Sequence, residues 1–170
     1  MHLIPMPQLF ETTQERIENR TIRCDSTNMD VRLVKAIQKL PNSENGLPFM
    51  VHIGEGTQEC YTLDLTNAGV VITAPSEVSA FYGVQTLRQL LSNETVYACH
   101  IEDAPDFAFR GYYHDVTRGK IPTMDTLKEL IAELISSNLK KLTFMVRNIR
   151  EENYMIFWKA MRVKDIILRI

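Results

Sequence analysis

Apolar residues recur at helical spacing in three stretches of the chain and alternate with polar residues in several shorter ones. The spacing predicts one helix over about residues 29–40, a second that begins after Ser76, and a third that follows Thr123. Ser76 and Thr123 are predicted N-caps, because a short hydroxyl side chain at that place can accept a free backbone N–H. Asp25 or Ser26 is predicted to cap the first helix for the same reason.

Shorter runs, either wholly apolar or alternating, predict strands between these helices. The predicted strands are Thr21–Cys24, Phe49–Ile53, Tyr61–Leu65, Val70–Thr73 and Tyr97–Ile101. The turn Asn67–Gly69 predicts a hairpin between the third and fourth of them. This order predicts a small mixed or antiparallel sheet with helices on one face, an α+β unit within an α/β chain.

The pattern changes after Pro105. A strand is predicted over residues 109–116, then the third helix, a further strand over 142–146 and a final helix over 151–170. Two successive strand–helix units predict a parallel sheet with a right-handed crossover.

Composition and charge exclude several classes of partner. The 170 residues carry a formal net charge of −2, which gives no field to gather nucleic acid or acidic lipid. No run approaches the length of a membrane span, and the first residues lack the pattern of a secretory leader. The cysteines Cys24, Cys60 and Cys99 are odd in number and far apart, which favours buried thiols in a reducing compartment. We therefore expect a cytoplasmic protein without nucleic-acid or membrane partners.

Few residues show the spacing of a metal-binding, cofactor-binding or catalytic motif. The four histidines lack metal-ligand spacing, and neither a phosphate-binding glycine loop nor a nucleophile elbow occurs, so we expect no metal and no cofactor. Arg110 and Asp115 are the exceptions, because charged side chains are unusual in a strand of aromatic and β-branched residues. An ion pair of Asp115 with Arg118 and a ligand-binding role explain them about equally well.

Three segments together resemble one enzyme family. They are Leu3–Gln8, the helix Ser79–Leu91 with its Y-G-x-Q-T-L-R-Q sequence, and Ile101–Arg118 with its D-x-P-x-F-x-x-R-G-x-x-x-D sequence. In residue identity, order and spacing they resemble the family-20 glycoside hydrolases, the β-N-acetylhexosaminidases.

The resemblance implies a domain organisation and a site. Residues 1–104 would form the family's accessory α/β domain, zincin-like in fold but without zinc, and residues 105–170 the first βα units of an incomplete (β/α)8 barrel. Arg110 falls on the arginine that binds sugar hydroxyls in the family, and its planar guanidinium suits two neighbouring hydroxyls. Arg110 and Asp115 are thus the candidate substrate-binding residues for an N-acetylhexosamine glycoside.

The resemblance implies no catalytic residue in this chain. The family's reaction is substrate-assisted, with an Asp-Glu pair on a later barrel strand, and the family departs from the usual two-carboxylate scheme. Only 61 residues follow Phe109 (170 − 109), whereas a complete barrel needs about 250. We expect a chain without hydrolytic activity, whether truncated naturally, derived from a disrupted gene or cut from a longer protein.

One alternative belongs to another class. A non-catalytic interaction module would keep the fold and use the exposed barrel fragment to self-associate or to assemble with a catalytic chain, because uncovered strand edges favour association.

Overall fold

The computed structural model describes most of the chain, in five segments. These segments are residues 3–24, 29–108, 110–115, 122–136 and 141–145. The chain divides into two compact units, Met1–Asp106 and Phe107–Ile170. Among the described residues, no helix is long and apolar enough to cross a membrane.

In its described residues, the first unit is a six-stranded mixed sheet with two helices. Its elements are β1 Leu9–Arg16, β2 Ile22–Cys24, α1 Val31–Ile37, β3 Leu47–Ile53, β4 Tyr61–Thr66, β5 Gly69–Ala74, α2 Glu77–Leu91 and β6 Tyr97–Asp103. The strand order is β1-β6-β4-β5-β3-β2. The pairs β1–β6, β6–β4 and β4–β5 are antiparallel, whereas β3 lies parallel to β5 and β2 lies parallel to β3. The predicted mixed α/β fold is confirmed.

The core lies on the face of the sheet that α2 covers. Leu63 of β4 stands opposite Ile72 on one neighbouring strand and Ile101 on the other, and all three side chains are fully buried. Helix α2 packs against β3, β4 and β5, and α1 packs against α2. Side chains alternate along a strand, so the residues before and after each of these three lie on the opposite face of the sheet.

Glycine at position 83 lets α2 approach the sheet closely. A Cβ at Gly83 would lie 3.1 Å from both Cγ2 of Ile72 and Cδ2 of Tyr61. Glycine weakens a helix interior by about 1 kcal/mol relative to alanine. The close contact with β4 and β5 offsets this cost.

The cap of the first helix differs from the prediction. Helix α1 begins after Asp30, whose side chain accepts the backbone N–H of Arg32 at 2.8 Å. Asp25 and Ser26, the predicted caps, lie outside the described residues. Asp30 acts as the N-cap because its carboxylate lies directly before the first helical turn, where unpaired backbone N–H groups need an acceptor.

Strand β1 was not predicted from the sequence. Its residues, LFETTQER, are mainly polar and exposed, with only Phe10 half-buried among them. It pairs with β6 at the edge of the described sheet, and its register shifts between Thr12 and Arg16. Edge strands carry this mixed polar composition because only part of one face is buried.

Other local predictions are confirmed. Ser76 caps α2 and accepts the N–H of Ser79 at 3.2 Å. The hairpin between β4 and β5 is antiparallel, and a Cβ at Gly69 would lie 2.8 Å from the Pro48 carbonyl oxygen. Of the three cysteines, only Cys99 is buried as predicted, whereas Cys24 and Cys60 are half-buried, and none of the three forms a disulfide among the described residues.

The second unit contains β7 Gly111–Asp115, α3 Met124–Ser136 and β8 Lys141–Met145. Strands β7 and β8 are parallel, as predicted. Thr123 accepts the backbone N–H of Thr126 at 3.3 Å, which confirms it at the start of α3. The predicted final helix over 151–170 lies outside the described residues.

Candidate functional site

Arg110 directly precedes β7 and is half-buried. Its Nη1 donates to the carbonyl oxygen of Phe107 at 2.7 Å, three residues earlier in the chain. This bond folds the side chain back along its own segment and restricts its rotamers. A guanidinium has further N–H donors, arranged in a plane that suits neighbouring oxygens.

Asp115 is the last residue of β7 and pairs in register with Met145, the last residue of β8. Parallel α/β proteins place ligands at the carboxyl ends of their strands, which is the edge where Asp115 lies. Arg110 precedes the opposite end of β7. A strand rises about 3.3 Å per residue, so the Cα atoms of Arg110 and Asp115 are about 16 Å apart. Substrate binding by either residue stays a prediction.

The N-terminal segment is bound to α2 by one side chain. Oε1 of Gln89 accepts the backbone N–H of Ile4 at 2.9 Å, and Nε2 of Gln89 donates to the Ile4 carbonyl at 2.7 Å. These two bonds resemble the pair that joins residues of neighbouring strands. Gln89 therefore fixes a segment that has no regular secondary structure of its own. Gln89 ends the Y-G-x-Q-T-L-R-Q sequence, and the structure gives it a clear local task.

A buried polar contact joins α2, β4 and the end of β6. The hydroxyl of Tyr61 lies 2.6 Å from Oγ1 of Thr86 and 3.2 Å from Oδ2 of Asp103. Burial raises the pKa of the Tyr61 phenol above its usual range, so it stays protonated at any ordinary pH. Burial likewise raises the pKa of the Asp103 carboxyl. Sequence reasoning missed this group, although Thr86 and Asp103 both belong to the distinctive sequences.

The opposite face of the sheet carries a row of ionisable groups. His100 of β6 stands between Asp64 of β4 and Glu11 of β1 in the strand register, and its ring contacts Asp64 and Glu102. The carboxylates of Asp64 and then Glu102 raise the pKa of the imidazole. Each of these side chains is at least one third exposed, which marks the row as a solvated surface.

No cluster of three or more metal-ligating side chains occurs among the described residues. The ring of His100 contacts Asp64 and Glu102 through hydrogen bonds.

Comparison with known proteins identifies the family. A family model described as "Glycosyl hydrolase family 20, domain 2" matches residues 1–104, more than half of the chain. This chain belongs to glycosyl hydrolase family 20. The resemblance inferred from its sequence is confirmed, and the matched region corresponds closely to the first compact unit.

Two curated relatives of this family-20 chain are β-hexosaminidases. The one from Porphyromonas gingivalis is 30% identical over 159 residues, covering 76% of this chain and 20% of the relative. The one from Vibrio vulnificus is 35% identical over 82 residues, covering 45% of this chain and 10% of the relative. The family-20 chain thus spans a fifth or less of the length of these relatives.

A solved structure supports the same assignment. A mutant β-hexosaminidase from Streptomyces plicatus, in complex with its product GlcNAc, is 28% identical and superposes with a TM-score of 0.63. The match covers 84% of this chain and 34% of the Streptomyces chain. The similarity therefore extends beyond the region that the family model matches.

Proposed function

We propose that this chain is the N-terminal part of a β-N-acetylhexosaminidase, an enzyme that removes terminal N-acetylhexosamine residues. The family match over residues 1–104 carries the proposal, together with two relatives named as β-hexosaminidases. The product GlcNAc in the Streptomyces structure supports an N-acetylglucosamine-type substrate for the parent enzyme.

Under this proposal the two regions have different tasks. Residues 1–104 form the accessory domain, of zincin-like type, and residues 105–170 are the start of the catalytic (β/α)8 barrel. The parallel pairing of β7 with β8, with α3 between them in sequence, supports the barrel assignment because barrels repeat this unit. The division of the chain after Asp106 supports a boundary near the proposed one.

Arg110 is the proposed sugar contact. A guanidinium held by the Phe107 carbonyl keeps a defined direction, and such a group binds adjacent hydroxyls with less loss of entropy than an unrestrained arginine. Asp115 is the second proposed contact. A sugar site needs several converging polar groups and an enclosing wall, so neither residue suffices alone.

Hydrolysis requires groups that this chain does not supply. In the proposed substrate-assisted reaction the 2-acetamido oxygen attacks the anomeric carbon, an aspartate orients that group, and a glutamate protonates the leaving oxygen. That Asp-Glu pair belongs to a later barrel strand. We therefore propose that these 170 residues, by themselves, do not hydrolyse the glycoside.

The coding sequence downstream of Ile170, read in all frames, tests the proposal. We expect further barrel strands and an adjacent Asp-Glu pair within the length that a complete barrel requires. The proposal would be overturned by a downstream sequence without barrel-type strands in any frame.

A second candidate function is assembly with another chain. Phe107 and Tyr112 are 72% and 40% exposed, and β7 pairs only with β8 among the described strands. Exposed aromatic residues beside uncovered strand edges favour self-association or assembly with a catalytic chain. Light scattering over a concentration series tests this function, because a mass that stays at that of one chain would contradict it.

A further inference from the structure

A directed run of hydrogen bonds leads from α2 to the residues that follow β6. The phenol of Tyr61 has one proton, and the ionised carboxylate of Asp103 can only accept. Tyr61 therefore donates to Asp103, and the hydroxyl of Thr86 donates to Tyr61. The donor directions are fixed because only one arrangement satisfies all three side chains.

The carboxylate also binds the N-terminal segment. Its Oδ1 accepts the backbone N–H of Gln8 at 3.4 Å, from a residue 95 positions earlier. The side chain of Gln8 donates through Nε2 to the Ala104 carbonyl at 2.9 Å and lies 3.4 Å from Oδ1 of Asp106. Residues on both sides of Pro105 are thereby joined to the start of the chain.

These contacts close a circuit within the first unit. Gln89 binds Ile4 to α2, Gln8 binds the linker after β6, and the path returns through Asp103 and Tyr61 to α2. A circuit is more restrictive than separate bonds, because no segment can move without breaking contacts at two places.

We propose that this circuit fixes the path of the chain as it leaves β6, with Asp103 as the positioning residue and residues 104–106 as an ordered tether. The linker has no regular secondary structure, so side-chain bonds must provide its order. Asp103 is suited to this role because its donors come from β4, from the N-terminal segment and from the backbone of Ala104. The inference concerns the first unit alone and does not depend on the proposed activity.

Tyr61→Phe tests the proposal, because it keeps the ring and removes only the hydroxyl. Amide hydrogen exchange followed by NMR should show Gln8 and Ala104 exchanging roughly 3- to 10-fold faster than in the wild type, the effect of losing about one hydrogen bond. Tyr97→Phe, the same change at an exposed position of β6, is the matched control. Exchange rates are compared with that of Leu63, a fully buried residue of the interior strand β4.

Two further readouts separate positioning from general stability. Thr86→Val should accelerate the same amides in the wild type but not in Tyr61→Phe, since the phenol links Thr86 to the carboxylate. The titration midpoint of Asp103, followed by its carboxyl carbon shift, should rise in Tyr61→Phe because the lost donor favoured the ionised form; Asp106 opposes ionisation in both proteins. Uniform acceleration, additive effects or an unchanged Asp103 midpoint would overturn the proposal.

Discussion

Nδ1 of His100 lies 2.6 Å from Oδ1 of Asp64, across the antiparallel pair of β6 and β4. The other ring nitrogen lies 3.2 Å from Oε1 of Glu102. Both nitrogens must carry protons to donate to two carboxylates, so the contacts favour the imidazolium form. Glu11 on β1 adds a third carboxylate to the same row.

This ion pair predicts a pH-dependent contribution to the free energy of unfolding. The pKa of His100 is raised above its ordinary value of 6.5, so its stabilisation is fully present below that value and disappears as pH rises through the folded-state pKa. His100→Gln should therefore destabilise the chain at pH 5.5 by under about 1 kcal/mol, the range of exposed ion pairs, and by less at pH 8.5. Urea denaturation at both pH values measures the difference. The control is His52→Gln on β3, and a deficit that grows with pH would contradict the ion pair.

Replacement of Gly83 by alanine has two opposing effects on stability, a gain in helix propensity and a loss from overpacking. Alanine favours the helix by about 1 kcal/mol, but its Cβ would lie 3.1 Å from both Ile72 and Tyr61. Overpacking of this kind costs about 1–3 kcal/mol, and the Tyr61 hydroxyl is tied to two partners, so the ring cannot easily yield. We expect Gly83→Ala to lower the free energy of unfolding by about 1 kcal/mol in urea denaturation. A variant more stable than the wild type would show that α2 has room to move.

The row of Leu63, Ile72 and Ile101 should dominate the stability of the sheet. All three are fully buried and stand opposite one another in register. Leu63→Ala should lower the free energy of unfolding by about 2–5 kcal/mol, through lost burial and the cavity left behind. The matched control is Thr62→Ala, on the opposite face of the same strand. Similar losses from both changes in urea denaturation would contradict the assignment of the core to the α2 face.

The cysteines should differ in reactivity. Burial raises the pKa of the Cys99 thiol to about 11, and the nearby Asp64 carboxylate adds to the shift. The thiolate is the reactive form, so Cys99 should resist iodoacetamide at pH 8 while half-buried Cys60 reacts. Peptide mass spectrometry of the native protein measures the order, and denatured protein gives the control. Modification of Cys99 as fast as Cys60 would contradict its burial.

Patterns within one element were sufficient to predict much of the fold. Ser76 has a short hydroxyl before an apolar stripe, and Asn67–Gly69 stands between two strand-like runs, so local chemistry decides both features. The family resemblance likewise came from contiguous residues. Strand β1 was not predicted, because an edge strand buries few side chains and therefore shows little hydrophobic periodicity.

Contacts between distant segments could not be predicted. Asp64 meets His100 only because β4 and β6 pair in one register, and a shift by one residue would turn either side chain to the other face. Gln8 and Asp103 meet for a similar reason, 95 positions apart. Asp103 was visible as part of a distinctive sequence, but its partners depend on where the N-terminal segment lies.

The central proposal is that these 170 residues, taken by themselves, have no hydrolytic activity. Turnover of a chromogenic N-acetylglucosaminide by the purified 170-residue chain tests it most directly, with Arg110→Ala as the matched variant. We predict that both proteins release chromophore at the rate of buffer alone, because the Asp-Glu pair is not supplied by this chain. Turnover above that rate which is lost in Arg110→Ala would contradict the claim.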